Sequence, residues 1–230
     1  MNKDFTNTAI LEQKNFMSRV YGFMSLGLFL TAIVSFMVSH SPFMINFIFG
    51  NPFSYWILFI IEIGIVSYFS AKIKSIDMPL AINLFIAYSV INGLTLSSIF
   101  LVYTKSSIAS AFFSTSITFI VMSLYGFITK KDLTSLGSFM SMGLFGIIIA
   151  TIINIFMRNS VLDLMISIIG IIVFTGLTAY DTQKIKSLVF YNNNTEEDKK
   201  IALLGALILY LDFINLFLMI LRFLGNRRQN

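Results

Sequence analysis

Residues 205–225 read GALILYLDFINLFLMILRFLG. The run is apolar almost throughout, and it matches the roughly 20 residues that a helix needs to cross a bilayer core. Asp212 sits near its middle. A central acidic residue costs about 3 kcal/mol on insertion scales, and such residues usually face the bundle interior and have a partner. The stretch therefore predicts a membrane-spanning helix with a functional carboxylate. The rest of the chain must supply whatever makes that carboxylate tolerable.

Composition points the same way. Of the 230 residues, 57% are hydrophobic and 12% charged, and the chain holds 25 Phe. Soluble domains carry about a quarter charged residues. Without water, backbone groups must bond to one another in helices or a closed barrel. Barrel strands are about 10 residues long and alternate in polarity, whereas the apolar runs here are twice that length and uninterrupted. The expectation is an all-α polytopic membrane protein. Cys is absent, which excludes a disulfide framework and thiolate metal sites. The net charge of +5 is spread over loops and tails, with no soluble domain to carry a nucleic-acid-binding face. Gly-rich phosphate loops, Ser/His/Asp triads and HExxH are missing, and His40 is the single His.

Seven apolar segments stand between charges and breakers: 20–38, 53–71, 79–103, 107–128, 134–157, 162–190 and 201–224. The first is too long for a signal-peptide core and reads as a retained helix. Residues 1–19 read as an N-terminal tail with a short interfacial helix, residues 20–224 as the seven-helix domain, and 225–230 as a C-terminal tail. The stretch YNNNTEED at 191–198 reads as a polar turn. Eleven of the 16 basic residues fall on the side of the N-terminus, including Lys72, Lys74, Lys130, Lys131, Lys184 and Lys186. The positive-inside rule places that side in the cytoplasm and the C-terminus outside, unless the last segment is re-entrant.

Three acidic residues are read as lying within or against these segments: Glu62, Asp181 and Asp212. If the sixth helix runs to about residue 190, Asp181 and Asp212 lie at similar depths, roughly 15–20 Å from the turn between the last two helices. Facing carboxylates at that depth would share a proton and titrate as a unit. Such a pair is a proton switch, because losing the shared proton leaves two repelling anions. The blander alternatives are hydrogen bonds to neighbouring polar groups, with Asn215 on the face of Asp212 and Lys184 close to Asp181. Glu62 is either a third member of the site or the partner of a cation elsewhere. Asn83, Asn92 and Asn154 read as glue between helices.

At 180–186 (YDTQKIK) and 205–225 the sequence resembles the transmembrane Bax-inhibitor-motif family, in its bacterial branch. The likeness extends over almost the whole chain, including a Glu in the second segment. It implies two three-helix layers around a central C-terminal helix, in a bacterial cytoplasmic (inner) membrane. It also implies a pH-sensitive passive calcium leak gated by an aspartate pair, here Asp181 and Asp212. A basic residue after the second helix latches an aspartate in such proteins, helped by the Glu matching Glu62; Lys72 and Lys74 stand around that point.

Three functions compete. In the first, protons gate weak, transient Ca²⁺ binding by Asp181, Asp212 and Glu62, with no resident cofactor; hard cations favour carboxylate oxygens. The second is a non-transporting regulator that binds a membrane protease or survival partner. The third is an intramembrane aspartyl protease, with Tyr180-Asp181 as its first motif. Asp212 follows Leu209-Tyr210-Leu211 and lacks the glycines that would leave room for a substrate strand. The expectation is therefore no enzyme.

Overall fold

The computed structural model describes residues 2–188 and 195–226, which form helices and no β-strand. In chain order the helices are α1 (Asn2–Ser39), α2 (Pro42–Phe49), α3 (Pro52–Lys72), α4 (Met78–Leu96), α5 (Ile99–Val102), α6 (Lys105–Ile128), α7 (Thr134–Met157), α8 (Ser160–Lys186) and α9 (Glu196–Leu224). Seven stretches are long and apolar enough to cross a membrane, in α1, α3, α4 with α5, α6, α7, α8 and α9. Their outer faces are apolar as well. Phe53 is 75% exposed, Phe113 68% and Phe156 83%. In water, such a surface would drive aggregation, whereas lipid tails suit it. The chain is an integral multi-pass membrane protein.

Four details depart from the expected segments. The tail and first span are one continuous helix, α1, rather than an interfacial helix followed by a span. The first loop contains a helix of its own, α2, whose Ser41 hydroxyl caps the Met44 N–H at 3.4 Å. The third span breaks at Ser97 and Ser98, whose hydroxyls bond back to the carbonyls of Leu94 (2.6 Å) and Thr95 (3.0 Å). Such local bonds compete with the helix ladder. The sixth span ends at Lys186, short of the expected 190. Residues 189–194, with most of the expected polar turn, lie outside the described residues, and Glu196–Asp198 already form the first turn of α9.

The chain divides into two compact units: Met1–Val102 with Leu188–Tyr210, and Tyr103–Ser187 with Leu211–Asn230. Each takes three of the first six spans and one half of α9. That helix is the most buried span, with 72% of its apolar window inside the protein against 6–44% for the others. In the first unit, α4 packs against α1 and α3. Gly93 allows the approach of α1, because a Cβ there would meet Val34 at 2.8 Å and the Thr31 carbonyl at 2.9 Å. In the second unit, α8 packs against α6 and α7. There Phe213 of α9 meets the rings of Phe112 and Phe119 edge-on, with centroids 5.6 and 5.5 Å away. Aromatic pairs favour that geometry.

Candidate functional site

Asp181 and Asp212 both belong to the second unit, and their carboxyl groups lie within hydrogen-bonding reach of each other. Asp212 is 6% exposed, while Asp181 is half-buried. A hydrogen bond between two carboxyl groups requires a hydrogen on one of them. The structure thus brings the two acids together, although they stand at different distances from their helix ends. Asp181 lies roughly one and a half turns from the end of α8, and Asp212 roughly four and a half turns into α9. Oδ2 of Asp212 is buried and receives no hydrogen bond from an N–H or hydroxyl donor. An acceptor left bare in a buried site is costly, and it is a natural place for a proton or cation.

The end of α8 is held in place around this pair. Thr182 shares a hydrogen bond of 2.9 Å with Ser123 of α6. The Gln183 side chain accepts from the Leu133 N–H at 2.9 Å and donates to the Lys131 carbonyl at 2.8 Å. Lys186 donates to the Phe127 carbonyl at 2.8 Å and lies over its ring. Lys184 sits over the Tyr180 ring, and its charge acts on Asp181. An open cleft of about 380 Å³ begins here, lined by Lys130, Lys131, Asp132, Tyr180, Gln183 and Lys184 among others. The Thr134 hydroxyl, followed by its N–H, holds the exposed Asp132 carboxyl below its ordinary range.

Glu62 lies in the first unit and is 8% exposed. The Thr95 hydroxyl donates to its Oε1 at 2.6 Å, and the Asn92 side chain also bonds to the carboxyl group. Asn92 accepts from the Tyr210 hydroxyl at 2.9 Å, and Tyr210 meets the Thr31 hydroxyl at 2.6 Å. Asn92 thus links α4 to α3 and α9, as a residue that holds helices together does. Asn92 and Thr95 are three residues apart and share a helix face, which was the available signal. Tyr210 and Thr31 gave none, since their rotation toward the cluster is set by packing.

The remaining expected residues have other contacts. Lys72 ends α3, and Lys74 lines a cleft of about 110 Å³ with Glu197, Lys200 and Ile201. Asn215 donates to the Leu211 carbonyl at 2.8 Å, a bond within its own helix rather than one to Asp212. A fourth acid, overlooked among the segments, is Asp163 in the first turn of α8; its Oδ1 lies 3.4 Å from Arg222 of α9.

A family model described as "Inhibitor of apoptosis-promoting Bax1" matches residues 13–229. The chain is 45% identical to an inner membrane protein, YbhL, of Escherichia coli over 217 residues, 94% of this chain and 93% of the relative. It is 44% identical to an uncharacterised protein of Borreliella burgdorferi over 222 residues, 96% of each chain. A protein of Rickettsia prowazekii is 42% identical over 235 residues, covering 98% of this chain and 99% of the relative. With matches of this extent, and seven helices fit to span a bilayer, the chain belongs to the Bax inhibitor family of membrane proteins.

Proposed function

We propose that the protein is a pH-sensitive passive calcium leak pathway, gated by proton sharing between Asp181 and Asp212. The observation that carries this reading is the pair of carboxyl groups within hydrogen-bonding reach of each other, with no N–H or hydroxyl donor on the buried Oδ2 of Asp212. With a proton between them, the two groups carry one charge and hold together. Without it, two anions face each other in a site of low dielectric, and they must separate, hydrate or take up a cation.

Calcium is the cargo here, and the donor set fits transient passage. A resident Ca²⁺ takes six to eight oxygens. Among the described residues, no group of three or more His, Cys, Asp and Glu could hold a metal. Two acids bind weakly enough to release. The lysines around the cleft beside Asp181 repel free cations, which suits a slow leak rather than fast conduction. No enzyme activity is proposed, because Asp212 lacks the flanking glycines that would admit a substrate strand. The test is calcium flux into proteoliposomes across a pH series. A flux that rises above protein-free vesicles and varies with pH supports the reading; a pH-independent background overturns it.

The membrane proposed is the bacterial cytoplasmic membrane, with the N-terminus inside. The excess of Lys and Arg on that side supports this orientation. A reporter fused after Lys3 should therefore read as cytoplasmic, and one inserted at Asn51 as external. A cytoplasmic signal at Asn51 would reverse the orientation.

A further inference from the structure

The expectation that Glu62 joins the aspartates as a calcium ligand meets a cluster of the wrong polarity. A cation needs oxygens turned toward it. Here the groups turned toward Glu62 are donors, the Thr95 hydroxyl and the Asn92 amide. The Asn92 side-chain carbonyl, Oδ1, is taken by the Tyr210 hydroxyl. Tyr210 thereby fixes the amide so that its N–H₂ end faces the carboxyl group. What such a cluster accommodates is a carboxylate or its protonated form.

We infer that Glu62 is a proton-binding site, distinct from the aspartate pair, whose hydrogen bonds are satisfied in both charge states. The Thr95 hydroxyl makes this possible. It lies 2.6 Å from Glu62 Oε1 and 3.2 Å from the carbonyl of Ile91, one turn earlier in α4. When Glu62 is ionised, Thr95 donates to it. When Glu62 takes a proton from water, the new O–H donates to Thr95 Oγ1, and the Thr95 hydrogen turns to Ile91. One hydroxyl rotates, no side chain moves, and Asn92 goes on donating to the carboxyl group. Thr and Ser hydroxyls serve as donor and acceptor alike, which Val or Leu here could not do.

The surroundings leave the proton as the main variable. Tyr88 of α4 and Tyr210 of α9 are titratable groups close enough to feel the charge on Glu62. From α1 comes the Thr31 hydroxyl, whose single hydrogen has two acceptors within reach, the Tyr210 oxygen (2.6 Å) and the Ser89 carbonyl (2.8 Å). Helix α2 has no titratable side chain.

The test is pH-difference infrared spectroscopy of the full-length protein in lipid, which reads protonated carboxyl groups directly. One acid carbonyl band should change with pH and be missing in Glu62→Gln. Thr95→Val should displace its midpoint by about one pH unit, the equivalent of the difference between a hydrogen bond to the charged and to the neutral carboxyl group. Thr95→Ser, which keeps the hydroxyl, should restore it. Three results would overturn the inference: no pH-dependent band lost in Glu62→Gln, a midpoint unmoved by Thr95→Val, or loss of that band on adding calcium at constant pH. If Glu62→Gln fails to insert, the Thr95→Val and Thr95→Ser comparison decides alone, since both keep the carboxyl group.

Discussion

Asp212→Asn should remove most of the pH dependence of calcium flux. The amide keeps the shape of the carboxyl group and can donate one hydrogen bond to Asp181, so the pair stays together at every pH. It carries no second charge, so there is no repulsion to part the helices when protons become scarce. Asp181→Asn should have the same effect by the same argument. The double variant should add little, because the two groups act through one shared hydrogen. Flux from each single variant is therefore expected to be nearly flat across the pH series in which the unaltered protein varies. A wild-type profile in either single variant, or effects that simply add in the double variant, would falsify the pair as the gate.

The seven spans were legible because bilayer thickness sets their length and lipid sets their composition, and both are written in single residues. The breaks were harder to see. Nothing in the run 79–103 marks Ser97 and Ser98 as a kink, because Ser inside a helix is ordinarily harmless; the outcome depends on hydroxyls turning back to Leu94 and Thr95. The aspartates were identifiable one by one from the cost of burying charge. That they touch depends on helix rotation and stagger, which spacing does not encode, and the depth estimate that paired them assumed a helix end four residues too far on. Glu62 shows the same limit from the other side. Its acidity was plain, but the donors around it come from residues that look like ordinary helix glue. Carboxylates of similar sequence setting are therefore assigned different chemistry by their neighbours: another acid for Asp212, and hydroxyl and amide donors for Glu62.

Gly126→Val should cost more stability than a substitution at any open glycine of the chain. Gly126 lies on α6, where a Cβ would run into the carbonyl oxygen of Ala179 on α8 and come within 2.9 Å of its carbon. The obstacle is backbone in the middle of a helix, so no rotamer can yield, and α6 must move away from α8. Overpacking of this kind costs about 1–3 kcal/mol and sometimes more. For a chain of this size, about 3 kcal/mol corresponds to a fall of roughly 6–12 °C in the unfolding midpoint. Ala179 stands two residues before Asp181, and the Ser123–Thr182 bond ties the same two helices one turn away. Spreading them should therefore also loosen the aspartate pair and blunt the pH response of any flux that remains. Gly146 is the control: on α7, a Cβ there would meet nothing within 4 Å. Gly146→Ala should be neutral or stabilise by up to about 1 kcal/mol, as Ala favours the helix over Gly. Thermal unfolding of the two variants side by side in one detergent measures the difference. Equal midpoints would mean that α6 and α8 do not pack backbone to backbone at Gly126.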